Sequence, residues 1–356
     1  MSLLFTPLSV RDVTFPNRAW VSPMCQYSAV DGLIGDWHLV HLGSLAAGRP
    51  GLLMAEATAV APEGRISVAC PGIWDDEQAD AWKHVVGYAH GQGTLIGIQL
   101  AHAGRKASTA APWHGGGYVE PEDGGWHAVA PSPIAFADLP VPTELTRDGI
   151  DALVTAFAEA AVRADTAGFD VVELHMAHGY LLHEFLSPLS NRRTDEYGGS
   201  LDNRMRLPLA VARAVRAAWP QGKPLLVRIS TTDWAPGGWD LDQSVTLTRA
   251  LKLLGVDLLD ASSGGLTPEQ AIPREVDYQV RNAAIIRAET GIAVAAVGLI
   301  TDPRQAEAIL ELGQADACML ARQMLRDPHW PLRAAHELGD DVAWVPQYTR
   351  AAAWPS

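Results

Sequence analysis

The chain has 356 residues, 48% hydrophobic and 19% charged, enough apolar material for a buried sheet wrapped in helices and too much for a disordered chain. Its 27 basic and 41 acidic residues leave a formal charge of −14, which phosphate backbones and anionic lipid surfaces repel, so neither nucleic acid nor membrane is an expected partner. The three cysteines, Cys25, Cys70 and Cys318, form no CxxC pair and argue against a disulfide framework or a cysteine-ligated cluster.

In chain order, the opening Met1-Ser2-Leu3-Leu4-Phe5 lacks the basic region of a signal peptide, and the longest apolar run, Ile292 to Ile300, is too short to cross a bilayer. A cytoplasmic protein is expected. From Ala19 onward, short apolar runs alternate with amphipathic segments, the rhythm of βα units feeding a parallel sheet. The spacing predicts eight strands: Trp20 to Met24, Leu52 to Ala57, Leu95 to Leu100, Asp170 to His175, Leu225 to Ile229, Leu258 to Ala261, Ala293 to Val297 and Ala317 to Leu320. Eight is the number that closes an α/β barrel of the (β/α)8, or TIM, type, so residues 1–356 are read as one such domain.

Asp75-Asp76-Glu77 and Thr301-Asp302-Pro303 carry the residues that favour helix N-termini. Ile150, Leu153, Val154, Phe157 and Ala161 recur at helical spacing and predict a helix over 150–167, stopped by Gly168. Two stretches break the rhythm: 101–147, with many Gly and Pro residues around Trp113, Trp126 and Phe136, and 176–200, rich in Gly, Ser, Asn and Arg. Both follow strands and are read as long loops over the C-terminal mouth, where barrel enzymes keep their chemistry.

Polar or conformationally special residues gather at those strand ends: Pro23-Met24-Cys25, Gln99, His175, Arg228, Gly298 and Arg322. His175 and His178, three residues apart, can chelate zinc or iron, which keeps a metal-dependent hydrolase or lyase open as an alternative. No third ligand with a recognisable motif accompanies them, so no metal is expected. A noncatalytic binding barrel is a further alternative. No GxGxxG follows a strand, so a nicotinamide nucleotide would have no domain of its own.

The strings Pro23-Met24-Cys25-Gln26-Tyr27, Glu56-Ala57-Thr58, Gln99 to Arg105, His175-Met176-Ala177-His178-Gly179-Tyr180 and Asn191 to Ser200 resemble the motifs of the Old Yellow Enzyme family, over almost the whole chain. Cys25, where the yeast-type branch has threonine, resembles the thermophilic-like bacterial branch that includes xenobiotic reductase A. The resemblance implies an FMN-dependent ene-reductase that uses NADPH, or NADH, to reduce the C=C bond of α,β-unsaturated carbonyl or nitro compounds. It implies FMN against Ser22, Pro23, Met24, Cys25, Ala57, Gln99 and Arg228, with the phosphate at Gly298, Ala321 and Arg322; Ala321 departs from the family's usual glycine.

His175 and His178 are implied as donors to the substrate oxygen, Tyr180 as the proton donor and Tyr27 as a substrate contact. The tail, 340–356, with Arg350 and Trp354, resembles one in which an arginine reaches a neighbouring subunit, implying a homodimer or homotetramer with the tail at the interface. Three alanines between Arg350 and Trp354 depart from that pattern. Several roles have a structural counterpart: a core amide for Gln99, core packing for Met24 and Ala57, an inert thiol for Cys25, aromatic packing for Tyr180. For Arg228 the counterpart is an ion pair, and a mouth expected to be poor in acids favours the cofactor role. Lys106 is read as an NADPH or flavin contact or as a solvated lysine.

Overall fold

All eight strands form and close, in chain order, into one parallel barrel: β1 (Ala19–Val21), β2 (Leu52–Ala59), β3 (Ile96–Ala101), β4 (Val171–Met176), β5 (Leu225–Ser230), β6 (Leu258–Ser262), β7 (Ala293–Val297) and β8 (Ala317–Leu320). The structure is a computed structural model that describes residues 1–273 and 275–353; Trp354 of the tail lies outside the described residues. The helices are α1 (Asp36–Ala47), α2 (Asp76–Gly91), α3 (Arg147–Ala167), α4 (Leu181–Leu186), α5 (Leu201–Ala218), α6 (Leu241–Leu253), α7 (Val280–Thr290), α8 (Pro303–Glu311), α9 (Arg322–Arg326) and α10 (Trp330–Leu338). Among the described residues no helix is long and apolar enough to cross a membrane.

The strands read as near-continuous apolar runs because both their faces are buried. Trp20, Leu52, Met54, Val171, Leu226, Leu258 and Met319 pack together on the lumen face, and Phe15 joins them from an N-terminal hairpin, Leu8–Val10 against Val13–Phe15. Their alternate neighbours, Leu53, Val172, Val227 and Leu259 among them, meet the helices. Asp75 and Asp302 accept backbone N–H groups at the starts of α2 and α8, and Pro303 stands in the first turn. Helix α3 starts three residues earlier than its apolar stripe, at Arg147 behind the cap Thr146, and ends where Gly168 turns left-handed at φ 95°.

The first strand stops at Val21 instead of Met24. Ser22 still donates its N–H to Leu320, but Pro23 has none to offer the ladder, and the chain leaves the sheet there. The stretch 176–200 contains α4, and 101–147 holds single helical turns and one two-residue strand pair, Val129–Ala130 with Thr143–Glu144.

Candidate active site

Side chains alternate along each strand, so two positions beyond the apolar lumen residues Val171, Leu226 and Leu258 come Glu173, Arg228 and Asp260, again facing inward. The apolar layer is therefore followed by a charged one. Arg228 Nε lies 3.0 Å from Asp260 Oδ2, and Gln99 donates its amide N–H to Glu173 Oε1 at 2.7 Å. The expectation of an acid-poor mouth is corrected: two carboxyls, both fully buried, stand behind the arginine. Burial and Asp260 push Glu173 up to about 8, against the pull of Arg228; burial raises Asp260 to about 6, against the same pull. The acids lie on strands that register Gln99 with Glu173 and Arg228 with Asp260, pairings the linear sequence does not display.

One turn further up, His175 and the loop after β4 form the next layer. The His175 ring stands edge-on to those of His178, at 5.2 Å, and Tyr180, at 4.9 Å. Nδ1 of His175 accepts the Ala177 N–H at 3.2 Å, which leaves the ring proton on Nε2. Nε2 of His178 lies 2.7 Å from Ser262 Oγ. The hydroxyl's competing acceptor, Gln279 Oε1, is 3.5 Å away and already takes the Ser263 hydroxyl at 2.6 Å. Ser262 therefore gives its proton to His178 Nε2, and the ring proton sits on Nδ1. No described residue accepts from either remaining N–H.

Burial first, then the charge of Arg228, holds both imidazoles well below the usual histidine range. They are neutral at physiological pH and charge only on acidification. In ¹⁵N spectra His175 is expected as the Nε2–H tautomer and His178 as Nδ1–H, unchanged from pH 8 to 6; two protonated rings at pH 6 would contradict the assignment. Burial likewise raises the Tyr180 phenol well above its ordinary value, so it keeps its proton. Its turn is anchored from below: His183 on α4 accepts the Gly179 N–H at 2.9 Å and pairs through Nε2 with Asp233 at 2.9 Å, both fully buried.

On the opposite wall, a β-bulge in β2 between Ala55 and Ala57 frees Glu56 from the ladder. Its buried carboxylate accepts the Gln26 N–H at 2.8 Å and meets His38 Nε2 of α1 at 3.3 Å, fixing the Cys25–Tyr27 segment; Tyr27 there has φ 49°. Cys25, Tyr27 and Tyr180 pack on one small cluster with Ala57, Ile66 and Cys70. Burial, with Cys70 and Glu56 nearby, pushes the Cys25 thiol well up, so it is a neutral S–H and no nucleophile. Met24 packs against the outer core and lines a small void with Ser22 and Glu56.

After β7 and β8 a cleft of about 170 Å³ is lined by Gly298, Thr301, Ala321, Arg322 and Arg326. Neither arginine side chain has a hydrogen bond or ion pair to a described residue, and no acid lines the cleft, so two positive charges face it unopposed. Arg350 sits in a short turn, Pro346–Ala351, exposed and without a polar partner among the described residues.

The sequence profile of the NADH:flavin oxidoreductase / NADH oxidase family matches residues 3–341. An NADPH dehydrogenase from Geobacillus sp. is 46% identical, covering 98% of both chains, and one from Halalkalibacterium halodurans is 45% identical, also covering 98% of both. The chain belongs to the NADH:flavin oxidoreductase / NADH oxidase family. Among solved structures, morphinone reductase superposes with a TM-score of 0.78 at 29% identity, covering 100% of this chain and 94% of that one. The Old Yellow Enzyme homologue from Zymomonas mobilis gives 0.77 at 27% identity, covering 99% of each.

This member of the family is an NAD(P)H-dependent flavin oxidoreductase whose cofactor is FMN. Its residues fit that group. The buried Ser22 hydroxyl has no partner, the terminal amino groups of Arg228 meet no acceptor among the described residues, and the Arg322–Arg326 cleft suits a phosphate. The metal alternative finds no such support: among the described residues no group of three or more His, Cys, Asp or Glu is placed to hold an ion.

Sequence reasoning carried Glu56 only within a motif, without a role, and missed Glu173, Asp260, Ser262 and Arg326. A signal existed for two of them, since an acid inside an otherwise apolar strand, as in Val171-Val172-Glu173-Leu174 or Leu258-Leu259-Asp260-Ala261, is costly unless it serves a site.

Proposed function

We propose that this oxidoreductase reduces the C=C bond of α,β-unsaturated carbonyl or nitro compounds, with NADPH or NADH as reductant. The observation that carries the reading is a pair of neutral imidazoles, each with one N–H left to donate, set against a phenol that keeps its proton. FMN, when bound, supplies a hydride at N5 to the β-carbon. His175 Nε2–H and His178 Nδ1–H hold the substrate oxygen and stabilise the negative charge that develops there. Tyr180 gives its phenolic proton to the α-carbon. Gln99 and Arg228 would hold the flavin's pyrimidine edge, where a guanidinium would favour the anionic reduced ring. Tyr27 would shape the substrate side, Ser22, Pro23, Met24, Cys25 and Ala57 would hold the ring, and Gly298, Ala321 and Arg322 would hold the phosphate.

The whole chain, 1–356, serves as one FMN domain in this reading. Its tail from residue 340 lies at a subunit interface of a homodimer or homotetramer, which would account for the unpartnered Arg350. Three free thiols suit a reducing cytoplasm.

The purified protein is expected to show flavin absorbance that NADPH bleaches anaerobically and that cyclohexenone or maleimide restores. Bleaching by NADPH without recovery on adding either alkene would leave a flavin oxidoreductase and remove the proposed substrate class.

A further inference from the structure

Lys106 belongs to the loop after β3, yet its ammonium is spent on two other loops. Nζ donates to the carbonyl of His178 at 2.9 Å and to that of Gly265 at 3.0 Å. It also stands over the rings of Phe136, at 4.4 Å, and Tyr180, at 5.2 Å. Lys106 is therefore not a freely solvated side chain: two of its three donors already have partners, and one is left for a nucleotide or flavin contact.

The two carbonyls lie on backbones in close contact. A Cβ on Gly179 would come within 2.3 Å of the Gly265 oxygen, and one on Gly265 within 2.6 Å of the His178 Cα. Only glycines allow that approach. Between them His178, which has a side chain, is held at φ 59°, in the left-handed region that costs a non-glycine residue energy. Its backbone N–H is taken by the Ser230 hydroxyl at 2.9 Å, so the lysine completes the hold from the carbonyl side.

We propose that Lys106 is a positioning residue for the alkene step: it clips the loops after β3, β4 and β6 together, keeping His178 in its left-handed backbone and the Tyr180 ring beside the paired imidazoles. The inference rests on the proposed function for the step it serves, while the clip itself is independent of it. Burial lowers the Lys106 ammonium to about 8, with Glu184 opposing and Arg105 assisting, so at neutral pH the clip carries its charge. The cation binds carbonyl dipoles and ring faces together, a stronger hold than an uncharged donor would give.

The test uses the FMN-loaded protein and p-hydroxybenzaldehyde, a planar phenol whose oxygen can accept from both imidazoles, followed by the change in flavin absorbance. Lys106→Met is expected to retain FMN, to bind the probe at least tenfold more weakly, and to lose the single Nδ1–H tautomer of His178. Lys106→Arg, which keeps the charge and several donors, is expected to bind within threefold of wild type. Wild-type probe affinity in Lys106→Met overturns the clip; if the KM for NADPH alone has risen, the lysine is a nucleotide contact instead. Should Lys106→Met not fold, Lys106→Arg decides: affinity within threefold supports the clip, and tenfold weaker binding overturns it. Because probe binding needs no turnover, a wild-type protein that binds the probe but reduces no alkene refutes the proposed function and leaves the clip standing.

Discussion

His175→Ala is expected to slow the alkene-reduction step roughly 10²-fold or more, a loss of about 3 kcal/mol of transition-state stabilisation, while FMN content stays unchanged. The size follows from where the donor acts. Nε2–H is fixed by the Ala177 amide, so it donates without reorganising as charge grows on the substrate oxygen. The imidazole is neutral, so it gives a hydrogen bond without first losing hydration as an ion. His178→Ala should cost a similar factor, and Ser262→Ala a smaller one, because without the Ser262 hydroxyl the His178 proton is free to move to Nε2. The double replacement should cost less than the two singles combined, since both donors serve one oxygen. Single-turnover reoxidation of the NADPH-reduced protein by cyclohexenone measures this directly. A change below threefold in both single variants would mean the imidazoles do not hold the oxygen.

Arg228→Met is expected to be the most destabilising change at the site. It removes the cation facing Glu173 and Asp260, two fully buried carboxyls, and breaking a buried pair in this way costs about 3–5 kcal/mol. The pH dependence has a definite sign. Folding raises the Glu173 pKa to about 8, so the carboxyl prefers its protonated form in the folded state. Such a group contributes stability in acid and loses it as pH rises from its unfolded value toward 8. Without Arg228 both acids rise further, so the deficit of the variant should be small near pH 5 and largest near pH 8. Thermal unfolding of both proteins across that range measures it; a deficit independent of pH would show that the acids are not coupled to the arginine. The variant should also hold FMN more weakly, having lost the guanidinium whose terminal amino groups face no other acceptor.

Much of this was legible before folding. The eight strands stand within about three residues of where apolar spacing put them, because a strand buried on both faces announces itself as a run of β-branched and aliphatic residues. Helix α3 was readable from Ile150, Leu153 and Phe157, and its end from Gly168. The His175 to Tyr180 string was legible as a motif, and the fold does set its three rings side by side. An acid-poor setting for Arg228 and a freely solvated Lys106 are not what the structure presents. Arg228 has acids behind it because Asp260 and Glu173 reach it from β6 and β4, more than thirty and more than fifty residues away in the chain. Lys106 finds its partners in loops more than seventy residues distant.

By itself, the sequence determined the number of strands, their alternation with helices, the strand ends at which polar residues stand and the motifs that mark the family. These depend on residue type and local spacing, which act over a few residues and survive in any unfolded segment. Only the tertiary structure decided which charges face each other across the lumen, which nitrogen of each histidine carries its proton, and which carbonyls Lys106 grips. Those follow from closure of the barrel and the register between strands, which bring distant segments within a hydrogen bond of one another and remove the water that would otherwise screen them.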